Sequence, residues 1–312
     1  MTKEQLIAGI TAGDTRTLSR AITMAESTHA EKRNLALEVI SYFGPQNNTH
    51  RIGITGTPGA GKSTFIEAIG INLLQDSERK IAVLSVDPSS GKTHGSILGD
   101  KTRMNLLSAH ERAYIRPTAS GLQMGGLAKN TRLAMLLCEA AGYNTILIES
   151  VGVGQGETEV AQLTDLFTLV LNPGGGDELQ GIKRGIMEMA DIIVVNKADG
   201  DSKQQAKLTA KEYSMALHLM PKNTNQWIPK VITTSALQNK GIDIFLEKVF
   251  DFEKQVTSSD WKANHRKEQM LYWARKSVQD LLLARLTDYE GAITKGLAAG
   301  KLPEEIAKNV VN

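Results

Sequence analysis

Gly56-Thr-Pro-Gly-Ala-Gly-Lys-Ser-Thr64, the stretch GTPGAGKST, stands between an apolar run, RIGIT (51–55), and a run of helical character, FIEAIGINLL (65–74). It matches GxxxxGK[ST] at every fixed position and has the strand before it and the helix after it that a phosphate-binding loop requires. The glycines let backbone N–H groups converge on phosphate oxygens, and the helix start adds the positive end of its dipole. Lys62 neutralises β and γ oxygens and Ser63 offers a hydroxyl to Mg²⁺. The expected nucleotide contacts here are Gly56, Pro58, Gly59, Ala60, Gly61, Lys62, Ser63 and Thr64.

Outward from this loop, short β-branched runs alternate with helical stretches: KIAVLSV (80–86), NTILIES (144–150), LFTLVLN (166–172), DIIVVNK (191–197) and KVITTS (230–235). Such runs separated by helices predict an α/β fold, a P-loop NTPase with a mostly parallel sheet sandwiched by helices. Ligands in these sheets bind at the carboxyl ends of the strands. The expected organisation is an N-terminal helical extension over 1–44, a nucleotide-binding domain over 45–252 and a C-terminal helical arm over 253–312. In the arm Leu271, Ala274, Val278, Leu281, Leu282, Leu286 and Tyr289 make one apolar stripe,. The stripe reads either as a helix docked on its own core or as an exposed arm that dimerises.

The run DIIVVNK ends in Asn196-Lys197-Ala-Asp199. An aspartate there accepts both N1–H and the 2-amino group of guanine, a pair of donors adenine lacks, and leaving such groups unpaired in a dry site discriminates strongly. The turn TSAL follows at 234–237, adding Ser235, Ala236 and Leu237 to the base side. Between the two motifs lie three acids near strand ends, Asp87, Asp100 and Glu149. Acids so placed hold Mg²⁺ directly or through its waters, or orient the attacking water.

The 312 residues carry 36 lysines and arginines against 34 acids, with no dense basic block, so nucleic-acid or membrane binding has no electrostatic support,. A single cysteine, Cys138, excludes an intramolecular disulfide and a thiolate metal cluster, and reads as an apolar filler in TRLAMLLCEAAG,. No run approaches the roughly 20 apolar residues of a membrane span. The N-terminal sequence matches neither a secretory signal nor a transit peptide, so the expected location is the cytoplasm,.

With VDPSS (86–90), GSILGDKTRM (95–104), ESVGVGQGETEV (149–160), PGGGDELQGIKRG (173–185) and NKAD in this order, the chain resembles the MeaB/ArgK/MMAA family of P-loop GTPases. The likeness covers about residues 40–250, with the flanking helices matching by position. The resemblance implies a GTPase that chaperones adenosylcobalamin-dependent methylmalonyl-CoA mutase or a relative, gating cofactor loading and protecting or reactivating the mutase. It implies that Lys62 and Ser63 hold phosphates and Mg²⁺, that Asp87, Asp100 and Glu149 form the acidic metal and water shell, and that Gly152 gives a backbone N–H to the γ-phosphate. Asn196, Lys197 and Asp199 would read guanine. Segments 92–110 and 152–162 would be the two switches, and 174–185 a further, partner-facing switch carrying Asp177, Glu178, Gln180, Lys183 and Arg184. It also implies a homodimer formed through the C-terminal helices. Gly91-Lys92-Thr93-His94 departs from the family's usual residues after VDPSS and bears on the geometry of the first switch.

Val153 follows Gly152 where Ras-like enzymes carry a water-orienting glutamine nearby, so unaided hydrolysis is expected to be slow and a partner to complete the site,. Gln155 and Glu157 are close enough in sequence to swing in, and Arg103, Lys183 and Arg184 are candidate charge donors. Competing readings are a small-molecule kinase, an ATPase linked to amino-acid transport as an older family name suggests, and a scaffold that keeps nucleotide without cleaving it.

Overall fold

A computed structural model of the chain describes residues 1–86, 104–118, 126–150, 156–174, 184–220 and 225–311. Among these, seven strands form one sheet: β1 (His50–Gly56), β2 (Ile81–Val86), β3 (Ala113–Thr118), β4 (Thr145–Ser150), β5 (Leu166–Leu171), β6 (Ile192–Val195) and β7 (Lys230–Thr233). Their spatial order is β3-β2-β4-β1-β5-β6-β7, and every pairing is parallel. Helices cover both faces, so β2, β4, β5 and β6 are buried along their whole length and read as unbroken apolar runs rather than as alternation,. β3 is absent from the apolar runs picked out in the sequence. It holds Arg116 and Pro117 and lies at the sheet edge, where a missing N–H is tolerated,.

The chain lays β2, β3 and β4 on one side of β1 and β5, β6 and β7 on the other, which makes the carboxyl end of β1 the point where the winding reverses. A crevice opens at such a point, and the phosphate loop leads out of β1 directly into it. Behind the loop, α4 (Lys62–Leu73) packs on α10 (Ile242–Ser258), with Phe65 meeting Phe245 edge to face at 4.9 Å between ring centres. Trp227 and Phe252 extend this core in the same geometry. Each such side chain, fully buried, contributes roughly 1.5–3 kcal/mol.

On the other face, α1 (Lys3–Thr11), α2 (Thr15–Ala25) and α3 (Ala30–Phe43) pack against α6 (Gly126–Ala140). Thr2 and Gln5 close a capping box at the start of α1, and Asp14 caps α2 by accepting from the N–H groups of Arg16 and Thr17,. Leu18, Ala21, Ile22 and Ala25 then fall on one buried face of α2. Arg116 Nη2 donates to Glu26 Oε2 at 2.6 Å, which fastens this layer to the edge strand β3. At the base of the sheet Arg51 forks onto Glu139 at 2.7 and 2.8 Å while Thr49 donates to the same carboxylate, a buried pair that joins α6 to β1. Cys138 is fully buried and its thiol pKa is pushed up by burial, as a filler requires.

Two compact units divide at Asn264 and His265. In the second unit α12 (Pro303–Val311) follows the end of α11 (Trp261–Ala298), and Ile306 seats over Gly296, where a Cβ would lie 2.7 Å from its Cγ1. Leu271, Ala274, Val278, Leu281, Leu282, Leu286 and Tyr289 are all exposed along α11, so among the described residues the stripe is not packed into a core of its own unit.

Candidate nucleotide-binding site

The cradle begins where β1 ends. Gly56 pairs with Val170 of β5, and a Cβ on Gly56 would stand 1.9 Å from the Val170 carbonyl oxygen, so only glycine admits this approach. Gly61 caps α4 in the left-handed conformation (φ 81°), and the chain turns there into the helix whose first residue is Lys62,. The Lys62 ammonium is buried and donates to the carbonyls of Gly56 and Thr57 at 3.0 and 3.1 Å, which holds its charge over the mouth of the loop. Pro58, Gly59 and Thr64 are exposed on the rim, while Ala60 is buried beneath them.

Ser63 on the first turn of α4 donates to Glu149 Oε1 at 3.1 Å. Glu149 reaches this point because β4 runs beside β1 in register, Ile54 opposite Glu149. Its neighbour Ser150 donates to Thr55 Oγ1 at 2.7 Å, locking the end of β4 to β1. The expected hydroxyl and carboxylate therefore meet at the phosphate end of the site. A small hard cation with a preference for a few protein oxygens plus phosphate fits this donor pair.

On the base side, Asn196 lies just beyond β6 and is nearly fully buried. Its Nδ2 donates to the Ala60 carbonyl at 2.9 Å, and its Oδ1 accepts from Thr234 Oγ1 at 3.2 Å and from Ala236 N–H at 3.1 Å. The carboxamide thus braces the cradle against the turn after β7 through three hydrogen bonds, one donated by Nδ2 and two accepted by Oδ1. Lys197 takes a left-handed φ of 58°, and its side chain is exposed beside Gly61. Asp199 is half-buried and receives the Ser235 hydroxyl, which fixes the plane of its carboxylate. The turn after β7 is closed by the reciprocal Ser235–Lys240 backbone pair. Ser235 and Ala236 are buried in it, and Leu237 projects outward with 83% of its surface exposed.

Asp87, Asp100, Gly152, Asp177, Glu178, Gln180 and Lys183 lie outside the described residues, as do Gly91 to His94, Arg103, Val153, Gln155 and the side chains of Glu157 and Arg184. Of segment 92–110 the described part holds α5 (Asn105–Ser108), anchored by buried Met104 and Leu107 and by Glu67 of α4, whose carboxylate accepts the N–H of Leu106 at 2.8 Å. Of 152–162 it holds α7 (Gly156–Ala161), and of 174–185 it holds Gly174 and the start of α8 (Arg184–Met189).

Several contacts of the site carry no signal in the linear sequence. Besides the Ser150–Thr55 lock, Asn72 of α4 donates to Asn239 Oδ1 at 2.8 Å, tying the base turn to the phosphate helix a second time. Each is an ordinary polar residue whose partner is remote in the chain.

Known proteins resemble this chain over most of its length. The family model described as "Methylmalonyl Co-A mutase-associated GTPase MeaB" matches residues 18–290. The GTPase ArgK of Escherichia coli (strain K12) is 45% identical over 286 residues, covering 91% of this chain and 86% of that one. The mitochondrial methylmalonic aciduria type A homolog of Mus musculus is 44% identical over 291 residues, covering 90% and 70%. Among solved structures, one described as an LAO/AO transport system kinase superposes with a TM-score of 0.80 at 36% identity, covering 99% of this chain and 96% of that one. No helix among the described residues is long and apolar enough to cross a membrane.

Proposed function

The chain belongs to the methylmalonyl-CoA mutase-associated GTPase family, and on that premise we propose that it is a Mg²⁺-dependent timer for an adenosylcobalamin-dependent acyl-CoA mutase, methylmalonyl-CoA mutase or a relative. Hydrolysis of GTP is its reaction. The observation that carries the reading is the meeting of Ser63 and Glu149 at 3.1 Å beside a base turn braced onto the same cradle by Asn196. Ser63 and Glu149 would hold Mg²⁺, with Asp87 and Asp100 assigned to the same shell by resemblance. When bound, the ion neutralises charge on the β and γ oxygens. Lys62 would neutralise phosphate oxygens, and Asp199 would select guanine.

Partner choice rests on the family's association with methylmalonyl-CoA mutase by name and on the relative named for methylmalonic aciduria type A. GTP orders loops around a γ-phosphate and hydrolysis releases them, so the nucleotide state biases how a client is held. Val153, directly after Gly152, has no polar group to hold the attacking water, which supports a share for the client in completing the site,. The exposed stripe of α11 supports a homodimer formed through the C-terminal helices,.

The test is phosphate release from GTP and from ATP, with and without a cobalamin-dependent acyl-CoA mutase, against a Lys62→Ala control. Slow, GTP-selective turnover that the mutase accelerates supports the reading. Equal use of ATP removes the guanine assignment, and indifference to the mutase removes the client. The kinase named for one solved relative supplies the second reading, for which a phosphorylated acceptor is the required product.

A further inference from the structure

Asn172 is the first residue beyond β5, on the flank of β1 away from Glu149. The backbone contact of Gly56 with Val170 brings the end of β5 against the start of the cradle. There Asn172 Nδ2 reaches Thr57 Oγ1 at 3.5 Å, and Asn172 Oδ1 is buried with no hydrogen-bond partner among the described residues. Two residues on, Gly174 is left-handed (φ 85°) and its N–H donates to Thr209 Oγ1 at 3.1 Å. Thr209 lies on α9 (Lys203–His218), the helix that follows the NKAD turn, so Asn172 stands between the cradle and a segment moored to the base side.

A buried acceptor without a donor costs about 1–3 kcal/mol and is uncommon in folded chains. One kept beside a ligand cradle points to a donor that arrives with the ligand. The position along the cradle says which part of the ligand. The base turn meets the loop at its far end, through Asn196 to Ala60 and against Gly61, where a Cβ would stand 2.8 Å from Asn196 Nδ2. Thr57 is at the opposite end of the loop, so Asn172 faces the end where the terminal phosphate must lie.

We propose that Asn172 is a positioning residue for the terminal phosphate: its Oδ1 is filled by a donor ordered there, such as a phosphate-bound water, only when a nucleoside triphosphate occupies the cradle. Its amide then holds Thr57, and the chain at Pro173 and Gly174 carries the difference between triphosphate and diphosphate to α9. This rests on GTP as substrate and is independent of the partner.

The experiment compares wild type with Asn172→Leu, which keeps the shape and removes both polar ends, and with Thr57→Val, which removes the facing hydroxyl. The melting temperature is measured without nucleotide, and affinities are measured for a fluorescent GDP and a non-hydrolysable GTP analogue. Asn172→Leu is expected to melt no lower than wild type, to bind GDP within about twofold, and to bind the triphosphate analogue about tenfold more weakly, one lost hydrogen bond to a charged-phosphate network. Equal weakening for both nucleotides, or no change for either, overturns the proposal. Should Asn172→Leu melt well below wild type, Thr57→Val decides: a loss confined to the triphosphate supports the role, and an equal or absent loss overturns it.

Discussion

Asn196 Nδ2 donates to the Ala60 carbonyl at 2.9 Å, so one buried carboxamide holds the base turn and the phosphate cradle in a single rigid arrangement. Removing it as Asn196→Ala strands the Ala60 carbonyl and the buried donors of Thr234 and Ala236. The expected cost is roughly 3 kcal/mol of stability, read by denaturant unfolding. GDP and GTP affinities should fall together, because the brace serves the cradle as a whole. A selective effect on one nucleotide would count against the brace.

Asp199 is oriented by the Ser235 hydroxyl. Asp199→Asn turns an acceptor into a donor and is expected to weaken GTP about tenfold to a hundredfold, the worth of a charge-assisted hydrogen bond. Xanthosine triphosphate, with a carbonyl where guanine has its amino group, should lose less or gain. Competition binding with the two nucleotides checks the inversion.

Glu149 accepts from Ser63 at 3.1 Å, and Glu149→Gln keeps that geometry while removing the charge. The Mg²⁺ concentration for half-maximal GTP hydrolysis is expected to rise about 10- to 100-fold. A metal titration of phosphate release with an unchanged Mg²⁺ requirement would sink the metal assignment.

Hydrogen bonds from the Thr17 hydroxyl and N–H hold the Asp14 carboxyl below the usual aspartate range. A depressed folded-state pKa contributes stability above the ordinary aspartate value and loses it as pH falls through the folded one. Asp14→Ala should therefore melt below wild type at neutral pH, with the gap narrowing in acid. A gap that does not change with pH would mean the cap's charge is irrelevant.

Leu282 and Leu286 lie on the exposed stripe of α11, at 59% and 47% exposure. The double change Leu282→Glu with Leu286→Glu should convert a dimer to a monomer by light scattering and leave GTP binding intact. A wild-type monomer at micromolar concentration would refute the arm's role.

Six of the seven described strands were legible because burial on both faces demands continuous apolar residues, as in TILIES and LFTLVL,. β3 was not, since Pro117 and Arg116 break that pattern and are permitted only because the strand forms the sheet edge. The phosphate loop was legible for a different reason: its glycines, lysine and serine act from adjacent positions. Asn196 was visible as a motif member, but its engagement with Ala60 was not.

The sequence by itself determined the cradle, the guanine-side motif and the parallel α/β class, because backbone freedom, donor identity and apolar continuity are properties of neighbouring residues. Only the tertiary structure decided that Asn196 braces Ala60 across 136 residues of chain, that Glu149 meets Ser63 across 86, and that Asn172 faces Thr57 across 115. Those relations depend on strand order and register, which place β4 and β5 on either side of β1 and bring together side chains that no local pattern links.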